Sequence, residues 1–94
     1  MMVLETAPYD SAEFLKAPED VAAYLEAAFE DGDAAVITHA LGVVARAEGM
    51  SEVAKQAGLT RASLYKALSA DGRPEFATVL KVVQALGLKM TVAA

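Results

Sequence analysis

Ninety-four residues suffice for one compact domain around one core and leave no room for a second, so a single domain over 1–94 is expected. With no cysteine, neither disulfide staples nor thiolate metal sites are available, which fits a reducing cytoplasm. The opening MMVLETAPYD has neither a basic start nor a long apolar run, and no later segment approaches the length of a membrane span, so a soluble, cytoplasmic protein is expected.

The net charge of −5 is unevenly placed. Residues 1–34 hold nine acids (Glu5, Asp10, Glu13, Glu19, Asp20, Glu26, Glu30, Asp31 and Asp33) against Lys16 alone, a net of −8. Residues 35–94 come to +3, with Arg46, Lys55, Arg61, Lys66, Arg73, Lys81 and Lys89 set against Glu48, Glu52, Asp71 and Glu75. Binding follows local potential rather than totals, so the first third suits a basic protein partner and the remainder suits an anion.

Asp10 or Ser11 is placed to cap a short helix, SAEFLK, which must stop before Pro18 because a residue preceding proline is pushed out of helical geometry. Pro18 opens a second helix at its favoured first position. Val21, Tyr24, Leu25, Ala28 and Phe29 recur there at helical spacing, Glu19 and Asp20 sit in the first turn where the helix dipole favours acids, and Gly32 closes it. Asp33 caps a third helix whose stripe is Val36, Ile37, Ala40, Leu41, Val44 and Ala47, and Gly49 ends it.

Residues 50–69, MSEVAKQAGLTRASLYKALS, read as two short helices hinged at Gly58, a residue able to take the positive φ that stops one helix and turns the chain. Ser51 is expected to cap the first and Thr60 the second, which runs to about Leu68. Val53, Ala54 and Ala57 before the hinge, with Leu64, Ala67 and Leu68 after it, allow both helices to share one core, the pattern of a helix-turn-helix. The loop SADGRP follows, and then a last helix with Phe76, Val79, Leu80, Val83 and Leu86 as its buried face, ended by Gly87. In the tail LKMTV, Leu88, Met90 and Val92 alternate with Lys89 and Thr91, which predicts a half-buried strand over 88–92. A lone strand must find a partner, either the weak strand-like Met2–Leu4 segment or a second molecule. The expectation is an all-α bundle of five or six helices with a short C-terminal strand.

On the second helix of the hinged pair, Ala62, Tyr65 and Lys66 share a face turned away from Leu64, Ala67 and Leu68. Thr60 and Arg61 stand at its N-terminal end, the end that reaches base edges when such a helix lies in a major groove. Arg61 is the candidate for a specific contact, since a guanidinium bonds two guanine acceptors at once, and Lys66 suits a base or a phosphate. Ala62 suits a thymine methyl, and the hydroxyls of Ser51, Thr60 and Ser63 suit phosphate oxygens, while Lys55 and Arg73 are expected to set affinity rather than sequence. Tyr65 fits either DNA or the core edge with its hydroxyl outward. His39 lies off the apolar stripe of its helix, on the side of Arg46, and reads as a surface residue. No nucleophile with a base, no phosphate-cradling glycine loop and no second histidine for a metal are present, so neither an enzyme nor a cofactor is expected.

The segments AAYLEAAFEDGD, AKQAGLTRASLYKALS and GRPEFATVLKVVQALGL, in this order and spacing, resemble the addiction-module antidote proteins, antitoxins related to HigA. The likeness covers nearly the whole chain without insertion or missing element. It implies a phage-repressor-like (lambda-repressor-like) helix-turn-helix, a homodimer, repression of its own operon at a palindromic operator, and neutralisation of a RelE/ParE-like toxin. The hinge at Gly58 and the recognition helix from Thr60 to Leu68 carry over from that family. Toxin contacts do not, and the acidic segment before Asp33 is offered for them on charge alone. The residues by themselves leave open a protein-interaction module, or a transcription regulator with no toxin.

Overall fold

A computed structural model describes residues 17–94, and its helices start and stop mostly at the punctuation visible in the sequence: α1 (Pro18–Asp31), α2 (Ala34–Glu48), α3 (Met50–Ala57), α4 (Arg61–Ala67) and α5 (Phe76–Ala85). The short helix expected over residues 11–16, and the Met2–Leu4 segment, lie outside the described residues.

Extended Ala17 leads into Pro18, and its carbonyl accepts from the N–H groups of Asp20 and Val21 at 3.0 and 3.2 Å, which closes the first turn of α1. The α1 stripe of Val21, Leu25 and Ala28 is buried against α2, with Tyr24 and Phe29 half-buried beside it. Asp33 caps α2 by accepting from the Ala35 N–H at 2.8 Å. The buried surface of α2 is wider than one stripe. Thr38, Gly42, Val43 and Ala45 are buried together with Ala40, Leu41 and Val44, whereas Val36 and Ala47 at the helix ends are exposed. The cause is position: α2 packs against α1 and α3, and its middle also meets the chain at Leu68, so burial there is decided by how many neighbours surround the helix.

Ser51 does not cap α3. Gly49 alone separates α2 from α3. Its N–H donates to Ala45 at 2.9 Å and its carbonyl accepts from Val53 at 3.0 Å, so one residue ends one helix and begins the next, leaving Ser51 exposed within the first turn. Gly58 ends α3 with φ 75°, and the Leu59 N–H reaches back to the Ala54 carbonyl at 2.8 Å in a Schellman closure. Thr60 then caps α4, its hydroxyl oxygen accepting from the Ser63 N–H at 3.0 Å.

Among the described residues, Leu41, Val44, Leu64 and Val82 are the largest side chains wholly removed from solvent, and one apolar cluster joins residues from all five helices. On α5 the packed residues are Val79, Val82, Val83 and Ala85, joined by Leu86 just after its end. Phe76, expected on that face, is 68% exposed and Leu80, expected there too, is only half-buried, because the face of α5 that packs is turned toward the wholly buried Val82. The C-terminal strand does not form, and no strand occurs among the described residues. Leu88 instead closes α5: its N–H donates to the Val83 carbonyl at 3.1 Å and its side chain packs on the core, after which Met90 and Val92 are exposed. Among the described residues no helix is long and apolar enough to cross a membrane.

Candidate nucleic-acid interface

The candidate site is the α3–α4 pair, held at its turn by the Gly58 and Thr60 caps and anchored by one side chain. Leu64, the buried residue of α4, is fully enclosed, and this orients the seven-residue helix so that Arg61, Ala62, Ser63, Tyr65 and Lys66 all face solvent. A helix this short has no independent stability, so its presentation depends on that anchor and on the cap. Thr60 does more than accept a backbone bond. Its hydroxyl donates to the Ser63 Oγ at 2.8 Å, which commits the Thr60 proton to the protein and leaves the Ser63 hydroxyl able to donate outward.

Ser51 and Lys55 are exposed on α3, and Lys55 shares that helix with a Gln56 amide that donates to Glu52 at 2.8 Å. Arg73 is exposed in the loop after α4. That loop is tied to the end of α4 by Gly72. Its N–H donates to Ser69 at 2.9 Å, and a Cβ at this position would fall onto the Ala67 carbonyl and lie 2.7 Å from the Lys66 carbonyl oxygen. Ser51, Lys55, Thr60 and Arg73 are thus all exposed, and the nine residues singled out from the sequence belong to α3, α4 and their adjoining turns.

Tyr65 is 60% exposed and does not retreat to the core edge. Its ring borders a cleft of about 240 Å³ between α4 and α2, which His39 and Arg46 also line. The spacing of His39 and Arg46, two helical turns apart, was readable in the sequence. Their approach to α4 was not, because it depends on how α2 and Leu68 meet. A separate groove of about 530 Å³ runs between α1 and the tail, with Leu25, Phe29, Val83 and Leu88 in its lining and Glu26 and Glu30 beside them. No group of three or more His, Cys, Asp or Glu residues able to hold a metal ion occurs among the described residues.

A family model described as "probable addiction module antidote protein" matches residues 5–94. An uncharacterized protein of Haemophilus influenzae is 43% identical over 91 residues, covering 97% of this chain and 94% of that protein. No solved structure matches the chain. With a family match running through nearly all of its length, the protein belongs to the addiction-module antidote family, whose description implies a toxin as partner.

Proposed function

We propose that the protein is the antitoxin of a type II toxin–antitoxin module, a non-catalytic cytoplasmic homodimer that binds its own operator through α3 and α4 and neutralises a RelE/ParE-like toxin. The finer likeness to HigA-related antitoxins with a phage-repressor-like helix-turn-helix belongs to this reading. The observation that carries it is the division of α4, with Leu64 sealed in the core while Arg61, Ala62, Ser63, Tyr65 and Lys66 stand in solvent. In a major groove, Arg61 at the N-terminal end of α4 bonds the O6 and N7 of a guanine, Lys66 reaches a base or a phosphate, and Ala62 meets a thymine methyl. Ser51, Ser63, Lys55 and Arg73 hold the flanking phosphates, and Thr60 acts chiefly through the cap that sets the helix start. Two copies place their α4 helices in half-sites about 34 Å apart, one helical turn of DNA.

The toxin falls to the opposite charge. Glu19, Asp20, Glu26, Glu30, Asp31 and Asp33 are all exposed on α1 and the turn after it, a surface complementary to a basic protein.

A mobility-shift titration on the DNA upstream of the gene tests the reading. Arg61→Ala is expected to lose about 1–3 kcal/mol of discrimination at one position of each half-site. Lys55→Ala is expected to weaken all sequences alike and to flatten the salt dependence by about 0.9 for each phosphate no longer neutralised. Binding unchanged by both substitutions would reject α4 as the reader. A stable complex with the neighbouring gene's product but no DNA shift at low salt would favour a protein-interaction module that keeps α3–α4 only as scaffold.

A further inference from the structure

The cleft between α2 and α4 has a chemistry that the α3–α4 pair does not account for. His39 and Arg46 line one wall from α2, and Tyr65 and Ser69 line the other. The floor owes its shape to Gly42. A Cβ built there would lie 3.2 Å from the Leu68 carbonyl oxygen and 3.6 Å from a terminal guanidinium nitrogen of Arg46. The Arg46 side chain therefore folds back along α2 over Gly42 and lays its guanidinium beside the chain that leaves α4.

Among the described residues no carboxylate lines this cleft, whereas Glu26 and Glu30 line the groove between α1 and the tail. An arginine, a histidine and a phenol around a concavity whose described lining holds no carboxylate form a donor set for an anion, and a guanidinium fork matches phosphate oxygens in pairs. Ser69 is not one of the donors, since its hydroxyl already donates to the Lys66 carbonyl at 2.8 Å. Tyr65 belongs both to this wall and to the exposed face it shares with Ala62 and Lys66, so an anion in the cleft sits directly beside the surface offered to DNA.

We infer that the cleft is a phosphate site in which Arg46, aided by His39 and the Tyr65 hydroxyl, grips a backbone phosphate of the duplex whose groove receives α4. This rests on the DNA-binding reading and adds α2 to the interface as a clamp that carries no sequence information. Phosphate contacts of this kind fix register and set salt dependence.

The test is a fluorescence-anisotropy titration of the full-length protein on the upstream duplex and on a scrambled duplex, over a salt series, with Arg46→Ala, Arg46→Lys, Tyr65→Phe and Arg61→Ala alongside the unaltered chain. Arg46→Ala is expected to weaken both duplexes alike, by roughly tenfold, the worth of one charge-assisted hydrogen bond. It is also expected to lower the salt slope by about 0.9. Arg46→Lys is expected to restore the slope while recovering only part of the affinity, because the charge returns without the fork. Tyr65→Phe is expected to weaken both duplexes alike by a smaller factor. If Arg46→Ala leaves both titrations unchanged while Arg61→Ala still loses base preference, the clamp is rejected and the groove reading stands. If Arg61→Ala is also without effect, the DNA reading falls and takes the clamp with it. Inorganic phosphate is titrated separately and followed by the NMR signals of His39 and the Arg46 guanidinium. Saturation there, combined with duplex binding indifferent to Arg46→Ala, would assign the cleft to free phosphate and overturn the inference.

Discussion

Leu64→Ala isolates the element on which the whole interface depends. Leu64 is the buried anchor of a seven-residue helix and is fully enclosed. Truncation to alanine removes about three methylene equivalents, or about 2.4 kcal/mol at about 0.8 kcal/mol per buried group. Incomplete collapse around the vacated volume brings the expected loss to about 3–5 kcal/mol. A chain of this length has only about 5–14 kcal/mol of folding stability, so about a fifth or more of it goes with one side chain. Because α4 has no stability of its own, the loss should appear first as detachment of that helix. Urea unfolding followed by circular dichroism measures the midpoint, and DNA titration at low temperature reads the detachment. A loss below about 1 kcal/mol with an unchanged slope would refute this, because something other than Leu64 would then seat α4 and present its outer face.

Thr60→Ala removes the α4 cap and both bonds with Ser63 and should cost about 1 kcal/mol, a drop of several degrees in melting temperature, with Thr60→Ser recovering most of it. Gly72→Ala should destabilise by more than the few tenths of a kcal/mol typical of an exposed turn, because its Cβ would meet the Ala67 backbone carbonyl; an unchanged urea midpoint would show that the loop relaxes freely. Phe76→Ser should stay within about 0.5 kcal/mol of the unaltered chain, whereas Val82→Ala should cost about 1–3 kcal/mol, and the reverse ranking would mean that the periodicity of α5, rather than its observed packing, had been right.

What the sequence made legible was local. Pro18, Asp33, Gly58 and Thr60 announce their roles because a cap or a left-handed turn is decided within about four residues of chain. The outward face of α4 was likewise readable, since Leu64 had to point inward and the rest follows from the helical repeat. Ser51 misled because it follows Gly49 in a good capping pattern, and only the near-direct joining of α2 to α3 moves the cap back to the glycine. Phe76 misled because α5 is apolar around most of its circumference, and the stripe chosen from the sequence lies to one side of the arc, centred near Val79, Val82 and Val83, that meets the core. The LKMTV alternation was too short to separate a strand from a helix-closing leucine followed by exposed chain. The clamp residues of α2 were visible as a pair, but their facing Tyr65 depends on the Gly42–Leu68 approach, a meeting of residues distant in sequence that no local rule reports.

Joining α2 to α3 through the single residue Gly49 makes that elbow intolerant of any change in length. Each residue added there would swing α3 by about 100° about its axis, rolling Val53 and Ala54 out of the core and carrying α4 with them. The stretch after α4, eight residues from Leu68 to Glu75, has slack to absorb an extra residue beyond Gly72. Chain-length variation compatible with a working reader head should therefore gather after Gly72 and stay away from the elbow.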